Sequence, residues 1–345
     1  MPLHRSIAAV LAALLATASV APFAAEQEKE QVLNLYTARH YQTDERLYAD
    51  FERQTGIKVV RLEGKDDELV ERLRQEGPRS PADVLITVDV ARLARASELG
   101  LFQPVKSKTL DARIPQHMRG TDWFALSTRA RVIVYNKGMV DGATITRYED
   151  LAAPALRGKV CSRAGSHPYN LSLGAALITH LGEQQAENWA RGLVANFARP
   201  PQGGDTDQIK AVAAGECGVA VSNTYYLARL MRSEKPEDIA LMEKVGVNWP
   251  NQDSFGTHMN VSGAGVLKHA RHRDAAVKFL EYLASDDAQR YFADGNNEWP
   301  VVTGVKIDNP ALKALGTFKA DTVDLRKLAK NTALAQRLFD RAGYR

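Results

Sequence analysis

Tyrosine residues stand at the points where predicted strands give way to helices. Tyr225 and Tyr226 follow an apolar, strand-like segment at 219–221 and the short loop 222–224. Tyr169 and Tyr41 occupy the same kind of position, and residues just past the carboxyl end of a parallel strand line the ligand crevice of α/β folds. Because the chain has only 11 tyrosines, their presence at three such junctions predicts one shared site in a cleft. Taken singly, each is explained more simply as a tyrosine of the core or of the surface.

His40 precedes Tyr41 and adds a nitrogen donor to the phenol oxygens, although the pair taken alone is more typical of a solvent-exposed loop. Phenolate is a hard anionic ligand, which suits Fe(III), a hard trivalent cation. Tyrosine ordinarily ionises near pH ~10, but a bound metal displaces such protons, as it does from coordinated water and thiols. Three or four phenolates would offset the 3+ charge, whereas zinc or copper would typically draw histidine and cysteine. The pattern therefore favours a ferric site.

The chain has two cysteines, which excludes a disulfide-built scaffold and any zinc site that needs three or four thiolates. Cys161 lies eight residues before Tyr169, and Cys217 lies eight residues before Tyr225. If the protein is exported, it meets an oxidising compartment, where a bond between the two cysteines is expected. That bond would join the bases of two loops that each deliver a tyrosine. The alternative is two separate buried thiols.

An enzyme is not indicated by any motif in the sequence. The metalloprotease, hydrolase and nucleotide-binding signatures are missing, and the pair of glycines at 263–265 lacks the third glycine of a dinucleotide loop. A hydrophobic content of 45% and a charged content of 25% are those of a globular protein. The net charge of +4, without a long basic run, argues against a protein that coats nucleic acid. We therefore predict a binding protein and no catalytic residues.

Residues 1–25 have the composition of a secretory signal peptide. Arg5 supplies a basic start, 7–20 is apolar, and small residues lead to a cleavage point near 21–25. The apolar stretch is short for a transmembrane helix, although an uncleaved membrane anchor is the alternative. The sequence thus predicts an exported, periplasmic protein.

The remaining chain alternates strand-like and helix-like segments, which predicts parallel βαβ units and an α/β fold. No flexible linker divides it, so we expect strands to cross between two lobes and to form a hinge beside a central cleft. Predicted strands lie at 32–36, 57–62, 82–87, 132–135, 159–161, 219–221 and 261–267. Predicted helices lie at 43–54, 66–75, 90–99, 170–180, 187–196, 205–214 and 225–231, followed by a helical tail from about 271.

Five stretches give the chain, from about 32 to 340, a specific resemblance to the periplasmic ferric-iron-binding proteins of bacterial ABC importers, also called bacterial transferrins. They are LNLYTARHY at 33–41, TGIKV at 55–59, SPADV at 80–84, TRARVIVYN at 128–136 and SNTYY at 222–226. The resemblance implies that Tyr225 and Tyr226 bind Fe(III) and that the His40–Tyr41 loop closes over it. Where some members carry a glutamate, this chain has Val88, which has no oxygen to offer. It is similar instead to the branch in which a tyrosine matching Tyr169 joins the shell and no synergistic anion is needed.

The resemblance also implies a cation, Arg129, beside the phenolates, with Asn223 next to the ligands; a surface or interlobe ion pair is the alternative role for Arg129. It further implies the two-lobe periplasmic binding protein fold. We place the first lobe at 32–130 plus 258–305 and the second at 131–257 plus 306–345.

The expected partners are an inner-membrane ABC permease with its ATPase and a donor of ferric iron or its chelate, with no nucleic acid and a monomeric chain. Two alternatives stay open: a binding protein of the same fold for an organic or chelated solute, and an exported iron enzyme.

Overall fold

The computed structural model describes residues 31–39 and 41–345, so the predicted signal peptide and His40 lie outside the described residues. The strands are β1 Val32–Thr37, β2 Lys58–Glu63, β3 Val84–Thr87, β4 Phe124–Asn136, β5 Val160–Cys161, β6 Val219–Asn223, β7 Val245–Asn248, β8 Met259–Val266 and β9 Trp299–Pro300. The helices are α1 Asp44–Thr55, α2 Asp66–Glu76, α3 Val90–Glu98, α4 Lys108–Arg113, α5 Pro168–Leu181, α6 Glu183–Ala195, α7 Asp205–Ala214, α8 Thr224–Met231, α9 Pro236–Lys244, α10 Arg273–Leu283, α11 Asp286–Asn296, α12 Pro310–Ala314 and α13 Leu325–Ala342. The predicted α/β class is confirmed.

The nine described strands form one hydrogen-bonded path in the order β2-β1-β3-β8-β4-β6-β5, with β7 and β9 paired to β4. Strand β1 runs parallel to both β2 and β3, as expected for βαβ units. Strand β5 runs parallel to β6. The C-terminal ends of β1, β5 and β6 are therefore the three strand-to-helix junctions that carry Tyr41, Tyr169 and the Tyr225–Tyr226 pair.

Strand β4 joins the two parts of this path. Its first half, from Phe124 to Ala130, pairs with β8, and its second half, from Arg131 to Asn136, pairs with β6 and β7. The sequence predicted only 132–135 as a strand, because Ser127, Thr128 and two arginines interrupt the apolar pattern before that point. The structure buries those polar side chains and pairs the arginines with carboxylates, which is how they are accommodated in a strand interior.

Apolar side chains gather in separate clusters on the two sides of β4. One contains Leu33, Phe51 and Phe279, and another contains Ile133 and Trp189. Helix α13 contributes to both, with Leu325 and Leu328 in the first and Leu338 and Phe339 in the second. The C-terminal helix therefore packs on both sides of the crossing strand; the lobe boundaries given above stay predictions.

The predicted helical tail is interrupted between α11 and α13. Asn297 follows α11 in a left-handed conformation (φ 59°), and the chain then forms the short strand β9 against β4. This interruption places Glu298, just before β9, against Ser127 and Arg129 of β4. Among the described residues, no helix is both long and apolar enough to cross a membrane.

Candidate functional site

The tyrosine cluster comprises Tyr41, Tyr169, Tyr225 and Tyr226. Tyr225 and Tyr226 lie in the first turn of α8, immediately after β6, and their ring centroids are 4.2 Å apart. Tyr169 is the second residue of α5, and its hydroxyl lies 3.1 Å from the hydroxyl of Tyr225. Two of the predicted junctions therefore bring their phenol oxygens into contact.

Tyr41 follows β1 and lies near enough to Arg129 and Tyr226 for both to influence its pKa. Burial is the main cause that raises the pKa of Tyr225, and Tyr169, Tyr41 and Tyr226 each raise that pKa further. The pKa of Tyr169 is likewise raised by burial first and then by Tyr226 and Tyr41. The four tyrosines therefore lie near enough to influence one another's ionisation, which groups them at one site; their role as ligands stays a prediction.

Tyr41, Tyr169 and Tyr225 carry neutral phenols at physiological pH. Burial, followed by the negative charge of Glu298, raises the pKa of Tyr41 to about 12, and burial raises the pKa values of Tyr169 and Tyr225 as well. A cation that is bound here by phenolates must therefore displace the phenol protons. It must also carry enough charge to stabilise several buried phenolates together.

Arg129, on β4, supplies a positive charge beside the phenols. Its side chain is fully buried, and its guanidinium carbon lies 5.9 Å from the centroid of the Tyr225 ring. Burial opposes its charge, but Glu298 and the nearby Tyr169 and Tyr225 raise its pKa above the ordinary value. Arg129 thus stands beside the cluster and belongs to a buried ion pair with Glu298. Its role beside bound phenolates stays a prediction.

Glu298 is the residue at this site that the sequence analysis missed. It is fully buried, and its Oε2 accepts hydrogen bonds from Nη1 of Arg39 at 3.0 Å and from Oγ of Ser127 at 2.7 Å. Its Oε1 lies 3.3 Å from Nη2 of Arg129. No local pattern marks it, although Arg39 stands directly before the His40–Tyr41 pair and is a buried arginine that needs a partner.

Asn223, the last residue of β6, belongs to a hydrogen-bond network next to the tyrosine cluster. Its Oδ1 accepts a hydrogen bond from Nη1 of Arg131 at 3.0 Å, and its backbone N donates to Asp205 at 2.8 Å. Arg131 also donates to Asn170, the residue after Tyr169, at 2.7 Å. This network ties the first turn of α8 to the first turn of α5, which are the two turns that carry tyrosines.

Other metal donors are scarce around the cluster. Within residues 31–39 and 41–345, no three His, Cys, Asp or Glu side chains are grouped so that they could hold a metal ion. Val88, at the position where a carboxylate was considered, donates its backbone N to Asp66 at 3.0 Å. The donor set of the described site is therefore phenolic, and His40 remains a predicted ligand.

A disulfide joins Cys161 to Cys217, with Cα atoms 5.7 Å apart and a sequence separation of 56. Replacing both by alanine is expected to lower the free energy of unfolding by about 4 kcal/mol, because a cross-link over a loop of this length restricts the unfolded chain. Denaturant titration of the exported protein measures this difference, and mass spectrometry without reduction checks the pairing. Two free thiols, or a loss below about 1 kcal/mol, would contradict the expectation.

Over most of its length, the chain is similar in sequence and fold to characterised proteins. The family model for bacterial extracellular solute-binding proteins matches residues 46–320, which include Tyr169, Tyr225 and Tyr226. The chain is 50% identical over 327 residues to iron uptake protein A1 of Synechocystis, covering 94% of this chain and 91% of that protein.

Among solved structures, the Trichodesmium protein IdiA (FutA) in complex with iron and citrate ligands has a TM-score of 0.87 at 51% identity, covering 91% of this chain and 100% of that one. The ferric binding protein from Campylobacter jejuni has a TM-score of 0.86 at 41% identity, with the same shares covered.

Proposed function

We propose that this chain, which belongs to the bacterial extracellular solute-binding protein family, captures Fe(III) in the periplasm through tyrosinates and delivers it to an ABC permease. The relatives named for iron uptake and for ferric iron binding, and those solved with iron, support this reading. They also confirm the predicted resemblance to the periplasmic ferric-iron-binding proteins and the predicted two-lobe fold.

The observation that carries the proposal is the grouping of four tyrosines at one site, with the buried guanidinium of Arg129 beside Tyr225. Phenol oxygens of Tyr169 and Tyr225 are already 3.1 Å apart, which is close enough for both to share one cation. Burial makes each phenolate costly without a metal. A trivalent hard cation offsets that cost better than a divalent one, so the site favours Fe(III) over zinc or copper.

Transport requires that the site open and close. Tyr41 comes from the loop after β1, while Tyr169, Tyr225 and Tyr226 come from the other side of β4. A metal that binds both sets favours the closed arrangement, because only that arrangement satisfies all its ligands. We propose that the permease, with its ATPase, recognises this closed, iron-loaded form of a monomeric chain whose signal peptide has been removed.

The proposal distinguishes this protein from an iron enzyme and from a carrier of organic solutes. A shell of His40 and four tyrosines leaves little room for a substrate on the metal, as suits a carrier that does no chemistry. A polyamine would call for several acidic side chains in the cleft, whereas this cluster offers phenols beside a buried arginine whose carboxylate partner, Glu298, is already paired.

A competition experiment tests the proposed solute. The mature chain is loaded from ferric citrate, separated from free iron and challenged with zinc, copper, spermidine or free citrate. We expect one iron per chain that none of these displaces at equal concentration. A chain that releases iron to zinc, or that binds the organic solute in preference, contradicts the proposal.

Tyr169 is expected to make iron binding independent of added anions. Four phenolates around a 3+ ion leave a net negative centre that repels phosphate or carbonate, so removing these anions should change the iron affinity of the wild type little. Tyr169→Phe opens one position and removes one negative charge, which should make binding depend on such an anion. Iron titrations with and without phosphate and carbonate measure this difference. A wild type that needs phosphate, together with a Tyr169→Phe variant that behaves identically, contradicts it.

A further inference from the structure

We propose that Glu298 is the fixed negative charge that makes the tyrosine cluster prefer Fe(III) to Fe(II), acting through its ion pair with Arg129. The inference rests on the proposed function, because it concerns the iron that the cluster holds. It assigns Glu298 the role of a positioning residue: its carboxylate fixes and balances the arginine that faces the phenols.

The arrangement around Glu298 is rigid. Glu298 and Arg129 are fully buried, and Arg39 is 2% exposed. Oγ of Ser262, on β8, accepts hydrogen bonds from Nη1 of Arg39 and from Nη2 of Arg129, each at 3.0 Å. Ser127, on β4, donates to the same carboxylate at 2.7 Å. The carboxylate therefore sits between both crossing strands and cannot move away from the arginines without breaking several buried contacts.

The two arginines depend on Glu298 to different degrees. Arg39 has a second carboxylate partner, since its Nε lies 2.8 Å from Oδ2 of Asp44. Arg129 forms an ion pair with Glu298 alone among the described residues. Loss of the Glu298 charge would therefore leave Arg129 without an ion-pair partner beside Tyr225, while Arg39 would stay paired with Asp44.

The sign of the effect follows from charge. Reduction of bound Fe(III) to Fe(II) makes the site more negative by one charge, so a nearby carboxylate opposes reduction and an unpaired guanidinium favours it. Glu298 lies 3.3 Å from Arg129, whose guanidinium carbon is 5.9 Å from the ring centroid of Tyr225. We take the separation between the Glu298 carboxylate and the bound iron as about 10 Å and the effective dielectric constant as about 20. One unit of charge on Glu298 then alters the ratio of Fe(III) to Fe(II) affinity by about ten-fold.

Glu298→Gln tests the inference, because glutamine keeps the size and the acceptor oxygen but removes the charge. Asp44→Asn is the matched control: it removes another buried carboxylate charge from Arg39, without touching Arg129. A spectroelectrochemical titration of the iron-loaded protein follows the visible tyrosinate band as iron is reduced and gives the ratio of Fe(III) to Fe(II) affinity. We expect that ratio to fall about ten-fold in Glu298→Gln and clearly less in Asp44→Asn, and Glu298→Asp to restore it.

A second pair of variants guards against misfolding of Glu298→Gln. Arg129→Gln removes the opposite charge and should raise the ratio, whereas the double variant Arg129→Gln with Glu298→Gln leaves no unpaired buried charge and should return it towards the wild-type value. Circular dichroism establishes that each variant is folded. A ratio within about two-fold of wild type in Glu298→Gln, or shifts of the same sign in Arg129→Gln and Glu298→Gln, overturns the inference. A wild type that binds no iron would overturn the proposed function itself, which is a different outcome.

Discussion

Tyr225→Phe and Tyr226→Phe are each expected to lose most of the visible iron band and to weaken Fe(III) binding by at least about a hundred-fold, or about 2.8 kcal/mol. Phenylalanine keeps the ring that packs in the first turn of α8 and removes only the oxygen. Tyr225 is 2% exposed, so no water or solvent ion readily replaces its phenolate. The loss should therefore appear in iron affinity and not in the fold.

The control for these variants is Tyr36→Phe. Tyr36 is also a buried tyrosine and lies near the end of β1, but its hydroxyl donates a hydrogen bond to Glu76 at 3.1 Å. Iron affinity measured by competition with citrate should be unchanged in this control. If Tyr225→Phe and Tyr226→Phe keep wild-type affinity, the site has been assigned to the wrong residues.

Iron affinity is expected to fall steeply on acidification, and this is the second large effect. The pKa of Tyr41 is raised to about 12, and the pKa values of Tyr169 and Tyr225 are raised too, so all three phenols are protonated at neutral pH before iron binds. Each phenol that ligates iron then releases one proton. Affinity therefore rises with pH up to these pKa values, and two released protons correspond to a fall of about a hundred-fold per unit of pH on acidification.

Two measurements check the pH dependence. Competition with a chelator of known proton affinity, from neutral pH to about pH 4.5, gives the slope, with His40 expected to add to the loss near pH ~6.5. Calorimetry in buffers of different ionisation enthalpy counts the released protons directly. A flat profile, or fewer than two protons released per iron, is incompatible with ligation by several phenolates.

The tyrosine cluster follows from sequence patterns that act over short distances. Strand-to-helix junctions are visible in the apolar runs before Tyr169 and Tyr225, and parallel pairing of β5 with β6 then places both junctions at one edge. The alternation of strand-like and helix-like segments therefore indicates, from the sequence alone, that Tyr169 and Tyr225 lie close together. The helix end at Gly56 follows in the same way, since its φ of 70° is one that glycine adopts readily.

The buried charges could not be predicted in the same way. Arg129 and Arg131 look like surface residues in a strand, and Glu298 lies 171 residues from Ser127, which donates to it. A partner at that distance leaves no periodic trace in the sequence. The same reason explains why β4 is longer than the predicted strand: its first half is stabilised by ion pairs and hydrogen bonds that only the folded chain assembles.

The most direct test of a tyrosinate ferric site is the visible spectrum of the mature wild-type chain during titration with ferric citrate. Charge transfer from phenolate to Fe(III) should produce an orange to red colour whose absorbance rises linearly and stops at one iron per chain. The same titration with Fe(II) under reducing conditions should give no such band. A colourless protein that nevertheless retains one Fe(III) per chain would contradict ligation by Tyr41, Tyr169, Tyr225 and Tyr226.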